Sequence, residues 1–516
     1  MSVLRFVVAG RLFFRDNTVV MIDDSVAGGG SESLNWSQSL LQSRAMLWLV
    51  SILALALFST ANLPWQLDEF SQERQALASY GIVKEGRWLY QSAPRDREAT
   101  KPPLVPWISA GLFAITRSWD FAWRFPSFAA AIALSILLLR EATAAFGPAA
   151  GLLALSAFSL NHLSPRLASL VRTDMPLALI VFLIGLQILG KIRRQEPWRR
   201  RDRWLLFAAL TAALFIKGPI VFAFLLPAVA LFQWRWRNRN VIGAWSGWWP
   251  WLASLALFMA WVVGGIISQP GFFDQVVMHE FLGRFGTTEQ RPHPPYYYVA
   301  HLLTKFAPWS ELLIIFTVAG VRSHHNSIRL ALRKLSPDLF WITCWALGGL
   351  LLMSLVPSKR LDRIFPLIPP LCLLVAAQFR TPPRRYLYNW SAAAVLLSIL
   401  VAGQYVGARV SRGYHDHRDA LVTFGREVRQ RAQTNHWRYE IVESHDGGML
   451  LYLEKLHFIA PERAVAEWNA GNLDALVVRV LDAPRLIVDL SGATLSELRS
   501  VERKDFPNRN YVLITR

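Results

Sequence analysis

The chain carries polar residues at spacings that transfer chemistry could use. The stretch LPWQLDEF ends in two adjacent carboxylates, Asp68 and Glu69. Further along come TKPP with Lys101, RTD with Asp174, MHEFLGRF with His279, Glu280 and Arg284, RPHPPYYY with Tyr297, and VPSKRLDR with Lys359 and Arg360. A carboxylate can take the proton of an attacking hydroxyl. Lysine and arginine can neutralise charge developing on a departing phosphate or diphosphate. Each motif also has an ordinary structural reading. An acid at a helix start is favoured by the dipole by a few tenths to ~1 kcal/mol. A threonine-aspartate pair reads as a cap, and a lysine ahead of two prolines reads as a snorkelling residue before a helix.

The elements that carry these residues are membrane spans. Of 516 residues, 53% are hydrophobic and 18% charged, with 22 Trp and 30 Phe, which favours a membrane protein. Apolar runs of bilayer-crossing length recur at 45–63, 174–190, 204–216 continuing into 218–233, 247–268, 338–356 and 386–408. The net charge of +19 does not point to nucleic acid, because the basic residues gather in short connectors. Four connectors, 191–203, 235–239, 322–334 and 380–385, hold seventeen Lys and Arg against two acids. By the positive-inside rule all four face the cytoplasm. Cys344 and Cys372 lie inside apolar runs and predict neither a disulfide framework nor a metal knuckle.

With the connectors inside, the polar motifs fall on the external face. The first external loop, 64–103, is too long for a simple connector. Within it DEFSQERQALASYG reads as an interfacial helix with apolar residues at Phe70, Leu77 and Tyr80. Four crossings, an even number that starts and ends on the external face, are expected between the first span and 174–190, yet only 104–118 and 121–140 are clear. The segment 147–173 is therefore expected to hold two short or tilted crossings, for about thirteen spans in all.

Residues 1–43 read as a disordered cytoplasmic segment, with Met21 a candidate start, 44–408 as the membrane domain, and 409–516 as an external α/β domain. In the last, 415–433 is patterned as an amphipathic helix, and YEIVES, ALVVRV, RLIVDL and YVLITR read as strands.

LDE at 67–69, TKPPLVPWISAGLF at 100–113, FAWRFPSFAAA at 121–131, RTD at 172–174, KGP at 217–219, MHEFLGRF at 278–285, PPYYYVAHLLTKFAPWS at 294–310 and PSKRLDRIFPLIPPLCLL at 357–374 occur in an order that resembles the polyprenyl-phosphate-dependent GT-C glycosyltransferases. The similarity is greatest to bacterial aminoarabinose transferases acting on lipid A, and extends to the protein O-mannosyltransferase group. The resemblance implies an all-α polytopic membrane domain of the GT-C type with a C-terminal α/β periplasmic domain. It implies catalytic carboxylates at Asp68, the base, and Asp174 in the same cavity, with Lys101, Arg284, Lys359, Arg360 and Tyr297 towards the donor phosphate and substrate. Glu69 is expected to orient the loop. The aminoarabinose transferases hold a divalent metal with a glutamate directly before the lysine and a later histidine. Here Thr100 stands in the glutamate's place, His279 matches the histidine, and Glu280 or Glu98 are the substitutes available.

The function expected is transfer of a sugar from an undecaprenyl-phosphate-type donor to a glycolipid, glycan or protein acceptor. The site is expected to face the periplasm, in a monomeric protein of the bacterial inner membrane. A transporter or flippase of lipid-linked sugars would also use cations and amphipathic grooves, but transporters tend to carry paired repeats that this sequence lacks. A receptor or assembly protein needs far fewer spans.

Overall fold

The computed structural model describes residues 36–67, 70–95, 97–237, 243–281, 283, 293–322, 335–380, 385–444, 446–503 and 509–516. Asp68, Glu69 and Arg284 lie outside these residues, as do residues 1–35 and the side chain of Glu280. Residues 36–42, assigned from sequence to the N-terminal tail, form helix α1 (Trp36–Gln42), with Leu41 buried and Ser37 donating to Asn389 Oδ1 at 2.7 Å. Ser43 then caps α2 (Arg44–Thr60), its hydroxyl accepting from the Met46 N–H, and the chain bends by 56° between the two.

The first external loop contains α3 (Phe70–Glu85) and a short antiparallel hairpin, β1 (Ser92–Ala93) with β2 (Arg97–Glu98). The bundle continues with α4 (Leu104–Thr116), α5 (Trp119–Phe146), α6 (Pro148–Ser159), α7 (Ser164–Ala168), α8 (Asp174–Arg194), α9 (Arg200–Lys217), α10 (Ile220–Trp236) and α11 (Trp249–Ser268). A π-helical segment, Phe273–Phe281, precedes α12 (Tyr297–Lys305), α13 (Trp309–Arg322) and α14 (Pro337–Leu355). A 3₁₀ segment, Leu361–Leu367, runs into α15 (Ile368–Ala376), and α16 (Arg385–His415) closes the bundle.

Among the described residues, six helices are long and apolar enough to cross a membrane, and eight if each of the two bent pairs forms one span. The second bent pair is α12 with α13, at 107°. The chain is thus a multi-span helical membrane protein. The segment 147–173 departs from the expectation of two crossings. It holds the twelve-residue α6, buried along its length, and the five-residue α7, which at 1.5 Å per residue extends only about 8 Å.

Small residues set the closest helix contacts, as is usual where lipid removes the hydrophobic drive between helices. A Cβ on Gly185 of α8 would stand 2.1 Å from the Trp345 ring of α14, and one on Gly349 of α14 would stand 3.2 Å from the Phe224 backbone of α10. Trp345 is itself fully buried, so the ring has filled the space that Gly185 leaves.

The C-terminal portion comprises α17 (Ala420–Thr434), β3 (Tyr439–Ile441), α18 (Gly447–Tyr452), α19 (Pro461–Asn469), β4 (Ala475–Arg479), α20 (Ala483–Leu486), β5 (Thr494–Arg499) and β6 (Tyr511–Thr515). The sheet order is β3-β4-β6-β5, with β3 and β4 parallel and the other pairs antiparallel. Both faces are covered, which explains the uninterrupted apolar runs of β4 and β6. Ala475, Val477, Tyr511 and Leu513 share a core with α17, α18 and α3, whereas Leu476, Val478, Val512 and Ile514 pack against α19 and α20.

Two sequence expectations fail here. RLIVDL is not a strand: Ala483, Leu486 and Leu490 are buried and Val488 is 81% exposed, so helical spacing governs after Pro484 starts the turn. The strand β5 (TLSELR) takes the fourth place instead. Nor is α3 a half-exposed amphipath. Apart from the half-buried Arg74 it is buried from Gln72 through Ile82, because the C-terminal portion covers the side that would otherwise face out, with Tyr80 Oη donating to the Glu454 carbonyl at 2.9 Å.

Candidate active site

A cavity of about 220 Å³ opens where α3, the segment after β2, the starts of α8 and the 3₁₀ segment, the end of α9 and the π-helical segment converge. Asp174 begins α8, and Lys191, Arg193 and Arg194 occupy its last turn, so the cavity lies about 30 Å from the basic connector at the other end. Carboxylates are stabilised at helix N-termini and cations at C-termini. Asp174 on α8 and Lys217, the last residue of α9, each occupy the favoured end.

These two residues form an ion pair with side chains only 5% and 6% exposed. Arg172 stands 4.0 Å from Asp174 and 3.0 Å from Asp362, and its Nε and Nη2 donate to Ser71 Oγ at 3.1 and 2.8 Å. Arg360 donates to the same carboxylate, from Nη2 to the shared Oδ2 at 3.1 Å and from Nε to Oδ1 at 3.3 Å. Arg363 donates to the Ser358 carbonyl and hydroxyl at 2.6 and 3.0 Å. Among the described residues, six Lys and Arg side chains and His279 therefore line the cavity against the two carboxylates Asp174 and Asp362. Buried carboxylates left without partners would be costly, and here the network supplies the partners while retaining an excess of positive charge. That excess suits a phosphate or diphosphate.

The structure brings Lys101, Asp174, Arg360 and His279 together around this cavity. Ser71 and Arg74 line it too, only a few residues after the pair Asp68–Glu69. Lys359 and Tyr297 are not among the lining residues. Lys359 Nζ donates to the carbonyls of His293 and Val356 at 2.9 and 2.7 Å, and Tyr297 packs between the rings of His293 and His301 at 4.5 and 4.1 Å. Among the described residues no group of three or more His, Cys, Asp or Glu side chains is placed to hold a metal ion. Of the metal set that the resemblance implies, His279 lines the cavity, whereas the Glu280 side chain lies outside the described residues.

Sequence reasoning passed over Lys217 and Asp362 as site residues. Lys217 had a signal, as a lone cation at a turn between apolar runs on the face without the basic connectors. Glu98 is held in the hairpin, with its backbone N–H donating to Gln275 Oε1 at 2.9 Å, and burial raises its carboxyl above the usual glutamate value, partly offset by Arg87.

Residues 100–264 match the family described as dolichyl-phosphate-mannose-protein mannosyltransferase. The undecaprenyl phosphate-alpha-4-amino-4-deoxy-L-arabinose arabinosyl transferase 2 of Proteus mirabilis is 26% identical over 333 residues, 61% of this chain and 55% of the relative. The corresponding transferase of Yersinia enterocolitica is 25% identical over 409 residues, 73% of this chain and 68% of the relative. The chain spans little more than half the length of the Proteus mirabilis relative. The crystal structure of ArnT from Cupriavidus metallidurans bound to undecaprenyl phosphate superposes with a TM-score of 0.68 at 15% identity, covering 92% of this chain and 98% of that one. The chain shares the fold of that ArnT structure. In sequence the chain resembles the aminoarabinose transferases and the protein mannosyltransferase family, and in fold it resembles ArnT.

Proposed function

We propose that the chain is an integral-membrane glycosyltransferase that moves a sugar from an undecaprenyl-phosphate-type lipid to an envelope acceptor on the periplasmic face. The observation that carries this reading is the excess of cations over carboxylates among the described residues of one cavity, at the end of α8 opposite its basic turn. In the reaction the acceptor oxygen attacks the anomeric carbon and the bond from that carbon to the phosphate oxygen breaks. The bonding pair leaves with the phosphate, where Lys101, Arg360 and their neighbours neutralise it. The acceptor proton passes to a carboxylate, Asp68 in this reading, with Glu69 orienting the loop. Asp174 holds Lys217 at the cavity wall. Arg284 supplements the phosphate cations, and Lys359 and Tyr297 brace the adjoining loop.

The shorter apolar helices α4, α6 and α10 join the six to eight long spans in the membrane bundle. The acceptor is lipid A or another lipopolysaccharide component. A divalent ion at His279 and Glu280 is a separate element of the proposal, and no step depends on it.

The test compares lipid A, envelope glycans and envelope proteins by mass spectrometry in deletion cells, and in deletion cells complemented with wild type or Asp68→Ala. Loss of one glycosylated species on deletion, restored by wild type but not by the variant at equal expression, is expected. An unchanged profile in every fraction contradicts the transferase reading.

A further inference from the structure

A second cleft, of about 380 Å³, lies beyond the carboxyl ends of the parallel strands β3 and β4. In open α/β sheets this crevice is where ligands bind. Its volume is in the range of small-molecule sites. Val478 and Leu486 give it an apolar floor, and both are buried. Polar groups of both signs stand around that floor. Arg479 is paired with Asp482 at 2.6 Å, Glu443 and Asp489 present carboxylates, and Arg485 is exposed with no ion pair among the described residues.

One wall comes from the membrane portion. Arg95, between β1 and β2, donates through Nε and Nη2 to the Ser444 carbonyl, both at 3.3 Å. Its φ is +64°, a left-handed conformation uncommon for arginine and enriched at ligand clamps. The same hairpin continues directly into Ala99, Thr100 and Lys101 of the first cavity, so one short segment borders both sites.

We propose that this second cleft binds an acidic saccharide, a sugar ring bearing a phosphate or carboxylate. Arg485 meets the anionic substituent, the Glu443 and Asp489 carboxylates accept from ring hydroxyls, and Val478 and Leu486 lie under the apolar face of the ring. A purely anionic ligand would meet repulsion from the two carboxylates, and a neutral sugar would leave Arg485 unused. The proposal rests on the transferase reading in taking this saccharide to be part of the acceptor, held while the acceptor oxygen enters the first cavity.

Isothermal titration of the purified full-length protein in neutral detergent tests it, with glucose 6-phosphate, glucuronate, glucose and inorganic phosphate as separate probes. Both acidic sugars are expected to bind about tenfold more tightly than glucose or inorganic phosphate. Arg485→Ala should weaken them about tenfold, with Arg95→Ala a second variant in the same direction, whereas Lys101→Ala should leave their affinity within about twofold. Unaltered thermal unfolding of the exposed Arg485 variant confirms that it folds. Equal affinity for inorganic phosphate, insensitivity to Arg485→Ala, or loss only on Lys101→Ala overturns the proposal. So does displacement of the sugars when phosphatidylglycerol nanodiscs replace phosphatidylcholine ones, since that assigns the cleft to lipid phosphate. Binding is read without turnover, so a protein that binds these sugars here but transfers nothing contradicts the transferase reading alone. One that transfers sugar yet shows no such binding contradicts the cleft alone.

Discussion

The backbone N–H of Leu67, the residue before Asp68, donates to the phenolic oxygen of Tyr452 at 2.7 Å across 385 positions of sequence. A Cβ on Gly448, in the same helix as Tyr452, would stand 3.3 Å from the Leu67 carbonyl oxygen, so α18 grips the approach to the acidic pair at close range. The Trp65 ring meanwhile lies over the Arg124 guanidinium at 5.1 Å. On the other side of the pair, Gln72 Oε1 accepts from the Val171 N–H at 3.1 Å. The C-terminal portion is thus part of the wall that fixes the first external loop.

Tyr452→Phe removes the acceptor of a buried N–H, a loss of about 1–3 kcal/mol. Realised in the transition state, this lowers kcat roughly tenfold while KM for the lipid donor stays unchanged. Steady-state transfer assays measure the split. Equal falls in stability and activity with no kcat effect in the folded fraction would assign Tyr452 a purely structural part.

Breaking the Asp174–Lys217 pair leaves one buried charge without its partner, which costs roughly 3–5 kcal/mol. Lys217→Met is therefore expected to lower the unfolding temperature in detergent sharply. The double variant Lys217→Met with Asp174→Leu should recover most of that stability yet remain inactive, because the cavity has lost a cation and its anchor. Recovery of activity in the double variant would remove both residues from the proposed chemistry.

Gly185→Ala places a methyl 2.1 Å from Trp345 and should destabilise by about 1–3 kcal/mol, as overpacking of a filled core does. Adding Trp345→Leu relieves the clash, and thermal unfolding of the two variants side by side is the measurement. A single variant as stable as wild type would mean that α8 and α14 can separate freely.

Burial raises the Glu98 carboxyl above its unfolded value. The protonated form is therefore favoured in the folded state, and the associated stability is complete below the unfolded pKa of about 4.3 and is lost as pH rises through the folded value. Glu98→Gln cannot ionise. The difference in unfolding temperature between variant and wild type should therefore favour the variant more at pH 7 than at pH 4. A pH-independent difference would show that Glu98 is equally solvated in both states.

Much of this architecture was legible in the sequence, because charge placement and apolar run length are physical signals that act locally. The basic turn at Lys191–Arg194 and Asp174 at the opposite end of α8 could be read together, and so could Lys101 ahead of its prolines. What could not be read were the tertiary partners. Asp362 stood unnoticed in a run of cations until the fold brought Arg172 against it from 190 positions away. The polar face of α3 looked solvated because the C-terminal portion that covers it lies over three hundred positions later. RLIVDL misled because β-branched content was weighed above the helical spacing of Leu486 and Leu490, and 147–173 because parity was made to fill a segment that holds one short buried helix and a single turn.

The most direct test of the account is transfer in proteoliposomes containing only the purified protein, a radiolabelled undecaprenyl-phosphate sugar and lipid A. Wild-type protein is predicted to move label onto lipid A and release undecaprenyl phosphate in equal amounts, with Lys101→Ala and Asp68→Ala each reducing the rate at least about a hundredfold. Label that crosses the bilayer still attached to undecaprenyl phosphate, with no glycosylated lipid A formed, would contradict transfer and indicate transport instead.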